Sequence, residues 1–107
     1  MIQTFRTKAG ESRTSKTQHT MRRAPTHPGE IFNEEFLKPK ELKQRDVAKK
    51  MGISANRLNE IVLGKRGVTA DTALRFAKLT GTAPEFWLNL QNAVDLYEAR
   101  EAMAAAK

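Results

Sequence analysis

The stretch Gln44–Ile61, Q-R-D-V-A-K-K-M-G-I-S-A-N-R-L-N-E-I, limits the folds open to this chain more than any other. Val47, Ala48 and Met51 fall at i, i+1 and i+4, on one face of a helix. Gly52 then supplies a residue able to take positive φ where that helix ends. Ser54 offers a hydroxyl to an orphan backbone N–H at the start of a second helix. Leu58, Ile61 and Val62 form the buried stripe of that second helix, leaving Ala55, Asn56, Arg57, Asn59 and Glu60 for its other faces. The pattern predicts two short helices joined by a glycine turn.

Such a pair is either an ordinary αα-hairpin of a bundle or a helix-turn-helix, whose second helix enters the DNA major groove. Spacing and charge favour the second. Small Ala48 stands four residues before Gly52, where the helices must approach, and Ile53, Leu58 and Ile61 supply the hydrophobic plug. The net charge of +7 is uneven. Residues 38–66 hold nine Lys/Arg against three acids, residues 25–37 carry three acids and no base, and residues 67–107 come to −1. The basic block thus coincides with the helix pair, the electrostatic footprint of a DNA-facing surface.

A chain of 107 residues is one domain with a modest core. Zero cysteines exclude a disulfide framework and a cysteine-based zinc site, and suit a reducing cytoplasm. No apolar run reaches the ~18–20 residues of a transmembrane helix, and no apolar h-region marks a secretory signal. The expectation is a cytoplasmic protein with no membrane partner. His19 and His27 are the only histidines and lie apart in sequence, so no metal and no cofactor are expected. Enzyme chemistry is disfavoured: there is no cysteine nucleophile, and adjacent Glu34 and Glu35 point different ways on a helix. Gly64-Lys65 fails as a phosphate-binding loop, with Asn59 five residues before the glycine and Arg66 after the lysine. No catalytic residue is assigned.

Residues 1–24 carry six Lys/Arg and one acid, with little apolar surface to offset ordering, and are expected to form a disordered basic extension. Met21 could itself begin the protein. The folded domain is expected over residues 25–107. Thr26–Glu30 opens its first helix, with His27 as cap, Pro28 at the first position and Glu30 in the first turn. Ile31, Phe32, Phe36 and Leu37 supply its apolar face. Pro39 should end it, because a residue before proline is pushed out of the α region. Gly64 closes the second motif helix, and Lys65 and Arg66 follow in a loop suited to phosphate contact. Thr69 caps the next helix, which ends at Gly81.

Thr82 and Glu85 have capping-box spacing at the start of a last helix that runs on towards Met103. Phe86, Leu90, Ala93 and Tyr97 make one apolar stripe, Leu88, Leu96, Ala99 and Met103 another, with Trp87 and Val94 between. A helix apolar over much of its circumference is buried on more than one side. Phe86, Trp87, Leu90, Val94 and Tyr97 are therefore expected to line a homodimer contact, in keeping with DNA half-sites about 34–36 Å apart.

Three segments carry a family resemblance: H-P-G-E at His27–Glu30, the G-K-x-x-V/L-T pattern at Gly64–Thr69, and P-E-F-W-L-N-L-Q at Pro84–Gln91. Over about Met21 to Arg100 the chain resembles the HigA family of antitoxins, within the lambda-repressor-like (XRE) helix-turn-helix superfamily. The resemblance implies an all-α, five-helix DNA-binding dimer that neutralises a HigB-type toxin, a RelE-like mRNA endonuclease, and represses its own operon. A solitary XRE-type transcriptional regulator is the alternative. Residues 1–20 precede the usual family start, and Lys43 stands where many relatives have a Ser or Thr cap.

By position in the motif, the partner is double-stranded operator DNA. Gln44 and Arg45 lie near a phosphate, and Ser54, Ala55, Asn56 and Arg57 lead the recognition helix, with Asn59 and Glu60 one turn on. Asn56 suits adenine, Arg57 suits guanine or a phosphate, and Glu60 suits a cytosine amino group or repels wrong sequences. Lys65 and Arg66 complete the set. The acids Glu30, Glu34 and Glu35 can meet a basic toxin or simply favour a helix N-terminus.

Overall fold

The computed structural model describes residues 24–106; the expected disordered extension over residues 1–24 lies, apart from Ala24, outside them. Five helical segments and no strand occur among the described residues. Helix α1 spans Pro28–Phe32 and runs on as a π-helical turn over Asn33–Leu37. Then come α2 (Gln44–Met51), α3 (Ala55–Val62), α4 (Ala70–Thr80) and α5 (Pro84–Ala105).

Local chemistry sets most boundaries. His27 caps α1, its Nδ1 accepting the Gly29 N–H at 2.9 Å, with Pro28 at the first position. Gly52 ends α2 at φ 78° and Gly81 ends α4 at φ 80°, both in the left-handed region that costs a side chain most. Thr69 Oγ1 accepts the Thr72 N–H at 3.3 Å to start α4. At α2 the capping residue is Lys43, which makes no side-chain bond, so this helix lacks the capping stabilisation of about 1 kcal/mol.

The first helix ends at Leu37, ahead of Pro39 as expected, but not for the expected reason, and one other boundary differs. Lys38, before Pro39, stays in the right-handed helical region (φ −64°, ψ −49°). The hydrogen bonds there have widened to i→i−5, Lys38 N–H to Asn33 O and Leu42 N–H to Leu37 O. A turn widened in this way need not place the carbonyl of Glu35 against the proline ring, as an α-helix would. A turn follows the helix and includes Glu41, whose φ is 54°. The capping box at Thr82 also fails. Ala83 occupies the cap position of α5 and makes no side-chain bond, while Thr82 Oγ1 accepts the Trp87 indole N–H at 2.7 Å. A buried Trp N–H must find an acceptor, and that demand takes the threonine.

Three rings form the centre of the core. Phe32 and Phe76 stack with centroids 4.2 Å apart and planes 6° from parallel, and Trp87 meets Phe76 edge-on at 4.9 Å and 66°. Leu37, Val47, Ala48, Met51, Leu58, Ile61, Val68 and Ala73 pack around them. Every helix contributes.

Helix α5 buries Trp87, Gln91 and Val94, spaced i, i+4 and i+7. Trp87 has no solvent exposure and Val94 is 8% exposed, so both lie within the protomer rather than on a surface a second copy can reach. That corrects their expected place in a dimer contact. The indole sits against Phe32 and Phe36 of the first helical segment and Phe76 of α4. Phe86 is 43% exposed, and Leu90 and Tyr97 are half-buried. Gln91 does something the sequence does not announce. Its Oε1 accepts the buried Val68 N–H at 2.8 Å and its Nε2 donates to Asp95 Oδ1 at 2.9 Å, tying the loop after α3 to α5.

His27 carries a pH consequence. Burial lowers its pKa below the ordinary 6.5, and the carboxylates of Glu98, Asp95 and Glu30 oppose that only in part. The folded state therefore prefers neutral imidazole, whose Nδ1 lone pair the cap requires. A base depressed on folding contributes its full stability above the unfolded value of about 6.5 and loses it as pH falls towards the folded value. The wild-type urea midpoint is expected to drop between pH 7.5 and pH 5, and His27→Asn, which keeps a cap without a titrating group, should flatten that drop. Parallel curves for the two proteins would remove His27 from the effect.

Candidate nucleic-acid interface

Helix α3 is held on three sides, by α1, α2 and, through Arg57, α4. Its rotation follows from Leu58 and Ile61, both without solvent exposure. Ser54, its cap, has extended backbone, and its Oγ accepts the Arg57 N–H at 3.0 Å. With the apolar stripe turned inward, Ser54, Ala55, Asn56 and Asn59 stand exposed together, as a recognition surface requires. Arg45 is exposed at the start of α2 and Gln44 beside it is half-buried. Lys65 and Arg66 are exposed in the loop beyond α3.

That loop is folded onto the end of α3. The N–H groups of Lys65 and Arg66 both reach the Glu60 carbonyl, at 2.8 and 3.2 Å, and Arg66 also pairs with the Glu60 carboxylate at 2.9 Å. Glu60 is thus an anchor for the loop, not a free acceptor. Gly64 takes φ 77° beneath the His27 ring, and Gly67 passes close under Gln91. The approach of α1 is closer still. A Cβ on Gly29 would overlap the Ile61 carbonyl and touch the Val62 Cα, so α1 seats backbone on backbone against α3.

Arg57 is not the free base-reading arm its position suggests. Its Nη2 donates to Asp71 Oδ2 at 3.0 Å and to Thr72 Oγ1 at 2.8 Å, both in the first turn of α4. Asp71 Oδ2 also accepts Arg75 Nε at 2.9 Å, and Arg75 Nη1 reaches the Met51 carbonyl at 2.6 Å. The hydrogen bonds from Arg75 and then Arg57 hold the Asp71 carboxyl below its ordinary value of 3.8. Asp71 reads in sequence as a dipole-friendly acid, and Arg75 has no evident role. Their i, i+4 spacing signals only their own pair.

Comparison with known proteins fits this geometry. The helix-turn-helix family profile matches residues 34–87. Virulence-associated protein I of Dichelobacter nodosus is 49% identical over 75 residues, covering 70% of this chain and 69% of that one. Antitoxin HigA-1 of Vibrio cholerae is 40% identical over 80 residues and 74% of each chain. An HTH-type transcriptional regulator of Haemophilus influenzae is 44% identical over 78 residues, 73% of each. Among solved structures, an addiction-module antidote protein of the HigA family from Coxiella burnetii superposes with a TM-score of 0.72 at 45% identity, covering 78% of this chain and 91% of that one. Pseudomonas aeruginosa antitoxin HigA, solved with the higBA promoter, gives 0.73 at 36% identity, with coverages of 77% and 89%. The chain is a DNA-binding regulator rather than an enzyme. It belongs to the HigA family within the lambda-repressor-like helix-turn-helix superfamily.

Proposed function

We propose that this protein is the antitoxin of a toxin–antitoxin module: it binds operator DNA as a homodimer, represses its own operon and neutralises a HigB-type toxin in the cytoplasm. The observation that carries the DNA half is the joint exposure of Ser54, Ala55, Asn56 and Asn59 beside the basic loop at Lys65. Asn56 reads a base edge, and Arg45, Lys65 and Arg66 hold phosphates. Phe86, with the outer edges of Leu90 and Tyr97, meets a second copy and sets two α3 helices on successive half-sites about 34–36 Å apart.

Two substitutions separate base reading from phosphate holding. Asn56→Ala should weaken binding to the chain's own upstream DNA by about 1–3 kcal/mol while leaving a scrambled duplex almost unaffected. Equal loss on both removes Asn56 from base readout. Lys65→Ala should weaken both duplexes alike and flatten the log–log salt dependence by about 0.9; an unaltered slope places Lys65 away from phosphate.

A solitary regulator is the second reading, favoured by the relative named only as a transcriptional regulator. Co-expression with the adjacent open reading frame decides between them. The antitoxin reading expects a stable complex and relief of growth arrest, with the complex weakened by charge reversal at Glu34 and Glu35. No complex and no growth arrest favours the regulator.

A further inference from the structure

A side-chain network joins α3 to α4. It runs from the Met51 carbonyl through Arg75, Asp71 and Arg57 to the buried Thr72 hydroxyl. It therefore joins the C-terminus of α2 and the N-terminal turn of α3 to the first turn of α4, fixing the two motif helices relative to a third element. Arg57 sits in that turn of α3, three residues after the Ser54 cap and next to Asn56. A free guanidinium is a general phosphate ligand, indifferent to sequence. In the structure both its acceptors belong to the protein, and its side chain is only 28% exposed.

We propose that Asp71 is a specificity-determining residue that acts by sequestering Arg57, which is a positioning residue and not a DNA contact. The inference rests on α3 being the recognition helix. A phosphate contact strengthens binding to every sequence equally and discriminates none. Tying the one cation of α3 to Asp71 withholds such a contact from non-cognate DNA. The discrimination made by Asn56 and its neighbours is then less diluted by binding that ignores sequence. The tie also holds α3 at a fixed rotation.

The test measures binding of the full chain to its own upstream duplex and to a scrambled duplex of equal length, across a salt series. Asp71→Ala should raise affinity for the scrambled duplex, steepen its salt slope by about 0.9 for one added phosphate contact, and lower the cognate-to-scrambled ratio. Removing an acid also raises net charge, so two double variants of equal charge separate the causes. Asp71→Ala with Arg57→Gln should return the slope to the wild-type value; Asp71→Ala with Arg75→Gln should keep it steep. Asp71→Glu should restore the ratio. Asp71→Asn serves where the alanine variant does not fold.

An unchanged slope in the Asp71 variants overturns the proposal. So does loss of the extra slope in both double variants alike, which assigns it to net charge. So does a slope reduced by Arg57→Gln but not by Arg75→Gln, its charge-matched control, which places Arg57 on phosphate in the wild-type complex. Failure of the wild-type chain to prefer its own upstream duplex is a different result, and overturns the reading of α3 itself.

Discussion

Gly29→Ala is expected to cost about 3 kcal/mol or more, a large share of the usual ~5–15 kcal/mol of total stability. The added methyl has nowhere to go. It meets the Ile61 carbonyl and the Val62 Cα, which are backbone atoms of α3, so no rotamer change relieves the overlap. Either α1 lifts away from the core or α3 shifts, and both break the Phe32 packing described above. Gly81→Ala is the control. Its φ of 80° makes alanine strained, but an added Cβ meets nothing within 4 Å, so only the left-handed penalty of about 1–2 kcal/mol applies. Urea midpoints of the two variants check the difference. Equal losses would mean that α1 accommodates the methyl, contrary to the contact described. Where the overlap is relieved by a shift of α3, Gly29→Ala should also lose operator affinity in excess of its unfolded fraction.

Trp87→Ala is expected to cost about 3–5 kcal/mol, the range for removing a large aromatic from a packed interior. The indole has no exposure and meets Phe32, Phe36, Phe76 and Phe86 with centroid separations of 4.9–5.9 Å. No other side chain can close the void without disturbing the Phe32–Phe76 stack. Trp87→Phe should cost much less, keeping a ring in place but losing the indole N–H bond to Thr82, a loss of about 1 kcal/mol with some further cost for the smaller ring. Thermal unfolding of both variants measures the gap. A Trp87→Ala protein as stable as wild type, but monomeric, would return Trp87 to a subunit contact and contradict its burial.

The parts of this structure legible in the sequence are those settled within one turn of chain. Gly52, Ser54 and Thr69 mark helix ends because the hydrogen bonds they make or permit span three or four residues. His27 as a cap belongs to the same class. The inward stripe of α3 was equally readable, since periodicity assigns faces before any partner is known. What escaped depends on pairing across the fold. Arg57 finds Asp71 14 residues on, and Val68 finds Gln91 23 residues on. Sequence spacing holds no information about either meeting. Thr82 departs from its expected role for a related reason: its spacing suits a cap, but a buried indole competes for the same oxygen and wins. At Pro39 the local rule itself gave way, because the preceding turn had already widened to the π register.

Gln91 has a wider consequence. Its bond to the Val68 N–H joins the loop that carries Lys65 and Arg66 to the long helix α5, and Asp95 holds the Gln91 amide in place from within that helix. In the proposed dimer joined along α5, the distance between the two loops proposed to hold phosphates is then measured out by the subunit contact, like the span of a pair of callipers. Drift in that contact would be transmitted to DNA as a change of span instead of being absorbed by a slack loop. On that proposal the accepted operator spacing is written in the helix furthest along the chain from the recognition helix.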